Sequence, residues 1–339
     1  MKRKIQLLVL MIFLYTTSFS QHTKNFRIAF YNVENLFDTI DNPNTNDNDF
    51  LPSSTHQWNT QKYNTKIKNL SSVIAAMSNN ELPEIVGLCE VENEMVLEDL
   101  INSNPLKNGN YKIIHSNSED PRGIDIALIY RPNEVNYLKH NYIRIPKNDT
   151  MKLRTRDILY FKYTTIRNDT VHLFVNHWPS RLGGEANSEP KRIWAAQTLK
   201  FYCDSIYKSS PNAALIITGD FNDYPTNKSI SEVLNATGNK KSRKHKLLNL
   251  MYSEHLNKKG TYYFNKEWGC LDQFIVSFSI VRKTSILKLV YKQHQIFSKD
   301  WLLQTNSKGE TFPFKTFNGK NYTGGYSDHL PILLDLRIK

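Results

Sequence analysis

Apolar residues recur along the chain in two rhythms. Runs such as "FRIAFYNV" (26–33), "EIVGLCEV" (84–91), "IDIALIYR" (124–131) and "VHLFVNHW" (171–178) are rich in β-branched and aromatic residues and bounded by turn formers, which predicts strands. "AALIITGD" (213–220), "LDQFIVSF" (271–278) and "PILLDLRI" (331–338) read the same way. The second rhythm is helical. Ile67, Leu70, Val73, Ile74 and Met77 fall on one face of residues 64–77. Residues 189–207 form a second helical stretch, with Pro190 suited to its first turn. Strand-only stretches around 124–178 and 260–291 argue against a simple alternating βαβ chain. Mixed sheets packed on each other, with helices outside, fit better.

The predicted strands share a feature: polar residues stand at or beside their ends. Asn32 and Glu34 follow the first, Glu90 and Glu92 close the second, and His177 closes "LFVN". Asp220 and Asn222 follow "LIITG", Asp272 opens "FIVSF", and Ser327, Asp328 and His329 precede "LPILLDL". A strand end is a rigid mount, so these groups can converge at one rim of a sheet core. Glu90, Asp220, Asn222 and Asp328 are hard oxygen donors of the kind that hold Mg²⁺, Mn²⁺ or Ca²⁺. The histidines can move protons near neutral pH. Asp272 would accept a ring N–H and fix a histidine in one tautomer. Singly, each residue has a plainer reading, since an aspartate after a strand is often a turn former or helix cap. As a set they point to metal-assisted attack of water on a phosphate ester.

Five stretches also carry a resemblance. "FYNVENLFD" (30–38), "GLCEVEN" (87–93), "FVNHWPSR" (174–181), "TGDFND" (218–223) and "GYSDHLPI" (325–332) resemble, in order, the motifs of the endonuclease/exonuclease/phosphatase family. That group includes pancreatic-type DNase, abasic-site endonucleases, bacterial sphingomyelinases and inositol polyphosphate phosphatases. The resemblance implies a four-layer α/β sandwich, with two packed mixed β-sheets flanked by helices and an active site at one edge. It implies Glu90 as the principal metal ligand, Asp328 helping to hold metal, and Mg²⁺ as the ion, with Mn²⁺ or Ca²⁺ as alternatives. Glu34 would support a second metal, or else serve as a surface or capping residue. Asn32 and Asp220 would position groups around the scissile phosphate, and Asp220 and Asn222 would orient the water and the transition-state oxygens. His329, paired with Asp272, would be general base or acid, and His177 would bind phosphate or protonate the leaving group. Asp125 is expected by position to orient His177, and Arg181, beside a glycine pair, to clamp a phosphate. Glu92 and Asn93 have a second reading as the start of a helix capped by Asn93. The expected function is a metal-dependent phosphodiesterase, foremost a secreted endonuclease on DNA or RNA. A phospholipid or a small phosphate monoester is the alternative substrate, and a non-catalytic binding protein on the same fold is a third reading.

Composition and the remaining segments add detail. With 339 residues, 40% of them hydrophobic, the chain can bury a large core as one domain, 21–339, and disorder is not expected over most of its length. The formal charge of +12 and pI near 9.3 suit a polyanionic partner such as nucleic acid, a phosphate ester or an anionic lipid headgroup, and equally a merely soluble basic protein; no obligate protein partner is implied, and a monomer is expected. Lys2, Arg3 and Lys4 before the short apolar core 5–15, with Ser18 and Ser20 ahead of Gln21, read as a signal peptide over 1–20, hence export to the periplasm or medium. An uncleaved N-terminal anchor is the other reading. Cys89, Cys203 and Cys270 read mainly as small buried residues, with one bridge left open. The basic run "GNKKSRKHK" (238–246) is either a solvated loop or a phosphate contact. "GTYYFNKEWG" (260–269) is either a packed strand or a membrane- or base-stacking element. Within "TGDFND", strand parity turns Asp220 and Asn222 to one side and Phe221 inward, leaving Asp223 as a turn residue.

Overall fold

A computed structural model describes residues 24–78, 81–147, 151, 153–282 and 287–339. The expected signal peptide, 1–20, lies outside the described residues. In chain order the first half contains β1 (Lys24–Leu36), α1 (Thr60–Ala76), β2 (Ile85–Val91), α2 (Glu94–Asn102), β3 (Lys112–His115), β4 (Asp125–Tyr130), β5 (Val135–Ile143), β6 (Ile158–Thr165) and β7 (Thr170–His177). Then follow α3 (Glu185–Ser209), β8 (Ala214–Asp220), β9 (Ala236–Thr237), β10 (Leu247–Asn249), α4 (Tyr252–Leu256), β11 (Tyr262–Phe264), β12 (Glu267–Gly269), β13 (Asp272–Ser277) and α5 (Phe278–Val281). The chain closes with β14 (Leu289–Ile296), β15 (Leu303–Thr305), β16 (Thr311–Pro313), β17 (Phe317–Asn318), β18 (Asn321–Tyr322) and β19 (Ile332–Ile338).

The period-two alternation of the strands sorts their side chains into layers. In β1, Phe26, Ile28 and Phe30 enter an apolar layer shared with Leu173 and Val175 of β7, Ile216 of β8 and Phe274 of β13. The intervening Ala29, Tyr31 and Val33 face the other way and pack with Ile67, Leu70 and Val73 of α1 and Leu97 and Leu100 of α2. On the far side, Leu215 and Ile217 of β8 pack under Ala195, Ala196 and Leu199 of α3. Each fully buried aliphatic side chain contributes about 1.5–3 kcal/mol. The result is two sheets face to face with helices on both outer faces. One sheet is six-stranded, in the order β14-β19-β1-β2-β4-β3; the other is seven-stranded, in the order β5-β6-β7-β8-β13-β10-β9. Both are mixed: β1 pairs with β2 in parallel and with β19 antiparallel, and β7 pairs with β8 in parallel while β13 pairs with β8 antiparallel.

Several expectations change in detail. α3 begins at Glu185, so Pro190 lies inside the helix rather than in its first turn. Arg192 supports this region: its guanidinium donates to the Glu185 carbonyl (3.1 Å) and to Ser188 Oγ (2.8 Å). Asp223 is not a simple turn residue. It is buried, paired with Arg192 Nε at 2.6 Å, and accepts from Ser229 Oγ at 2.6 Å. Removing one partner of a buried ion pair strands the other charge. Arg192→Met is therefore expected to lower unfolding free energy by about 3–5 kcal/mol, read from the urea midpoint. The three cysteines are free and buried. Among the described residues no helix is long and apolar enough to cross a membrane.

Candidate active site

Residues far apart in sequence meet where β1, β2, β7 and β8 end and β13 begins. The pairing brings β8 and β13 into register at Asp220 and Asp272, and β7 and β8 at His177 and Asp220. Gly219 permits the close approach of β7 and β8. Its φ is +152°, and a Cβ there would lie 2.1 Å from the Asn176 carbonyl oxygen. Phe221 turns inward as expected and packs edge-on against Trp178, with ring centroids 4.8 Å apart.

Glu90 reaches the site through a bulge. Its φ is +63°, and the pairing of β2 with β4 shifts register between Cys89 and Val91. One extra residue in a strand re-aims the side chains around it. Val91 thus fills the helix-side position that simple parity would give Glu90. A second irregularity in β1, between Asn32 and Leu36, places Glu34 (φ +51°) and Asn35 (φ +54°) in the left-handed region. There Asn35 N–H donates to Glu90 Oε2 at 3.0 Å. Asn32 Nδ2 donates both to Glu90 Oε1 (3.2 Å) and to Asp220 Oδ2 (3.1 Å), tying the two carboxylates together.

The two histidines face the same aspartate. His177 Nε2 lies 3.8 Å from Asp220 Oδ2 and 3.9 Å from Glu90 Oε1; His329 Nε2 lies 3.9 Å from Asp220 Oδ2. Their environments differ. Burial, and then the positive charges of Arg156 and Arg122, hold the His177 pKa well below the usual value. Burial also opposes charge on His329, but Asp272, bonded to its Nδ1 at 2.7 Å, together with Asp328 and Asp220, outweighs it and raises that pKa well above the usual value. One histidine is neutral and the other charged near neutral pH. Asp220 is pushed up to about 6 by burial, with His329 lowering and Asp272 raising it. Asp328 rises to about 7 through burial and then the charge of Glu34.

Other expected residues sit differently. Asp125 accepts from Ser118 N–H (2.8 Å) and lies 3.8 Å from His115 Nε2, so it does not orient His177, whose buried Nδ1 has no hydrogen-bond partner. Arg181 is not an open phosphate clamp. It donates to the Asn222 carbonyl (2.7 Å), Glu185 Oε2 (3.0 Å) and Asn227 Oδ1 (3.3 Å), and stacks on Tyr224. Asn222 leaves strand geometry at φ +50°, so parity does not place it; its N–H donates to Asp220 Oδ1 at 2.9 Å and its amide to the Trp178 carbonyl at 3.1 Å. Glu34 Oε2 accepts from Thr316 N–H (2.7 Å) and lies 3.7 Å from the Lys66 ammonium. Asn93 caps α2, its side chain accepting from Val96 N–H. The basic run leads into β10 at the end of β13 opposite Asp272, away from the histidines. Of the hairpin 260–269, Tyr263 packs on Trp268 and Phe312, while the Tyr262 ring lies 4.8 Å from the His329 ring and Phe264 is exposed. That segment is thus packed on one side and open beside the site.

Two arginines gain a context that sequence alone did not supply. Arg156 is buried and donates to Asp120 Oδ2 (2.8 Å) and to the Trp178 carbonyl (2.6 Å). Arg122, with its side chain 48% exposed, rests on the same Asp120 through Nε at 3.2 Å. Asp120 is the shared mount, and the turn "EDPRG" holding it was the available signal.

The donor set suits a hard divalent cation at the Glu90 end, where Glu90 and Asp328 are both carboxylates. Asp220, Asp272 and His329 also bring donor atoms within 4.8 Å of one another. There His329 Nδ1 is already bonded to Asp272 Oδ2, which fits a proton-holding pair better than a metal cage.

Residues 27–338 match the Endonuclease/Exonuclease/phosphatase family. The chain belongs to this family. Enzymes of this family, as its name says, are endonucleases, exonucleases and phosphatases, all hydrolases acting on phosphate esters. Solved structures of similar fold include an endonuclease/exonuclease/phosphatase family protein from Bacteroides thetaiotaomicron (15% identity, TM-score 0.57, covering 94% of this chain and 96% of that one). D. rerio TDP2 complexed with single-strand DNA product is similar at 17% identity and TM-score 0.54, covering 92% and 98%. Bacteroides thetaiotaomicron mannosyl-6-phosphatase Bt3783 is similar at 16% identity and TM-score 0.55, covering 92% and 99%. At these identities the likeness is one of fold. No curated protein sequence matches the chain.

Proposed function

We propose that the protein is a divalent-metal-dependent phosphodiesterase acting on nucleic acid, with Mg²⁺ as its ion and Mn²⁺ or Ca²⁺ as substitutes. The observation that carries this reading is Asp220, tied to Glu90 through Asn32 and facing a neutral histidine on one side and a charged one on the other. Glu90 and Asp328 would hold the ion. A divalent cation supplies positive charge to the phosphoryl oxygens and makes water easier to deprotonate. Asp220, with its carboxyl near 6, takes the proton from the attacking water. His329, kept protonated by Asp272, faces the charge that grows on the phosphate. The carboxylates facing His177 Nε2 favour a proton on that nitrogen, making neutral His177 a donor to a phosphoryl oxygen. Export, with cleavage before Gln21, is part of the proposal; N-terminal sequencing of protein from the medium or periplasm checks it.

Three features support nucleic acid: the basic charge (+12, and still +9 after loss of Lys2, Arg3 and Lys4), the open Tyr262–Phe264 face beside His329, and a similar structure that holds a DNA product. Arg122 is half-exposed and its charge acts on His177, and we assign it to a substrate phosphate. Arg122→Gln is expected to raise KM for a polynucleotide about tenfold or more with a smaller change in kcat, consistent with loss of a charge-assisted hydrogen bond. An unchanged KM removes that assignment. A phosphomonoester is the second reading, favoured by the fold shared with a sugar phosphatase. A panel of DNA, RNA, mannose 6-phosphate and sphingomyelin vesicles separates them. Polynucleotide turnover well above the others is expected; turnover of the sugar phosphate or lipid alone replaces the nuclease reading.

A further inference from the structure

Lys66 is a lysine in an unusual place. It lies on α1 among apolar neighbours and is 1% exposed. Its ammonium donates to Thr316 Oγ1 at 2.6 Å and to the Tyr326 carbonyl at 2.7 Å, and stands 3.7 Å from Glu34 Oε2. One turn on, Asn69 donates to the carbonyls of Gly324 and Gly325, so α1 grips the segment that leads into Asp328 and His329. A buried ammonium is tolerated where negative charge and acceptors surround it. Here the carboxylates acting on it are Glu34, Asp328 and Glu90, the acidic end of the site.

We infer that the Lys66 ammonium is a built-in second cation of this carboxylate cluster, so that the site takes one divalent metal ion and Glu34 is held by Lys66 and Thr316 rather than by metal. The inference rests on the metal-dependent reading above but not on the choice of substrate. A second divalent ion on Glu34 would share its carboxylate with a fixed positive charge 3.7 Å from Oε2, and like charges that close in a largely buried site repel. The Glu34 oxygen facing Lys66 is also occupied by the Thr316 N–H. The ammonium does for Glu34 and Asp328 what a second ion would do elsewhere: it neutralises them in place, and it cannot be lost to a chelator.

Counting metal tests this without turnover. Mn²⁺ is titrated into the full chain, and bound ions are counted by calorimetry and by the electron paramagnetic resonance of free Mn²⁺. One ion per chain is expected in the wild type, lost in Glu90→Gln. Glu34→Gln is expected to keep that count, with affinity within about threefold, because Glu34 touches no metal. Lys66→Arg keeps a count of one, and Lys66→Met, folded by circular dichroism, is expected to bind a second ion. Two ions in the wild type, loss of an ion in Glu34→Gln, or a count of one in folded Lys66→Met would overturn the inference. If Lys66→Met does not fold, the wild-type and Glu34→Gln counts still decide it. Because no substrate is present, a failed substrate panel leaves these counts standing, and a failed count leaves the panel standing.

Discussion

Asp220→Asn is expected to lower kcat for phosphate-ester hydrolysis by about 10²- to 10⁴-fold, the range spanned by a positioned general base. Asp220 closes β8, buried at the meeting point of the Asn32 amide, the Asn222 N–H and both imidazoles. Asparagine keeps the shape and removes the base. Burial and the neighbouring Asp272 raise the Asp220 pKa to about 6 against the opposing charge of His329. The ionised form is the one that accepts a proton, so the wild-type rate should climb as pH rises through about 6 and then level. In Asp220→Asn that acid limb should vanish along with the rate. The fold should survive, because the substitution removes a carboxylate that burial and Asp272 already disfavour. Near-wild-type turnover in a folded Asp220→Asn protein would remove Asp220 from the chemistry.

Asp272→Asn is expected to cost a similar factor, about 10²- to 10⁴-fold, through His329. The Asp272 carboxylate holds His329 Nδ1 at 2.7 Å and is the strongest of the charges that keep the ring protonated against burial. The sign follows from that. The raised pKa means charged His329 is present below it and lost as pH rises through it, which sets the alkaline limb of the pH–rate profile. Without Asp272 the His329 pKa falls, although Asp328 and Asp220 still raise it, and that limb should move to lower pH. The lowered pKa is readable by NMR titration of the ring's carbon-bound protons. An unmoved alkaline limb in Asp272→Asn would show that His329 charge is not what the reaction uses.

The layers were legible because period-two and helical spacing report burial directly. "FRIAFYNV" and "AALIITGD" announce strands buried on both faces, and the polar residues at their ends announce the rim. Backbone irregularity was not legible. Parity sends Glu90 toward the helices and groups Asn222 with Asp220, yet a bulge and two left-handed residues decide both positions. Buried charges on helices were also missed, although a signal existed. Lys66 stands four residues before Leu70, and Arg192 stands three before Ala195, each on its helix's apolar stripe. Arg181 misled because a basic residue beside glycines looks free, whereas a chain of carbonyl and carboxylate acceptors has already claimed it. Partners brought from distant sequence, such as Thr316 for Glu34 or Asp120 for Arg156, follow only from the fold.

Metal-dependent cleavage of a polynucleotide tests the central claim most directly. Supercoiled plasmid and a structured RNA are incubated with the protein in Mg²⁺, in EDTA, and in EDTA followed by excess Mg²⁺, with Asp220→Asn alongside. Cleavage of at least one polymer in Mg²⁺, none in EDTA, recovery on adding the metal back, and near silence from Asp220→Asn is the predicted result. Cleavage that persists in EDTA, or that Asp220→Asn matches, would contradict it.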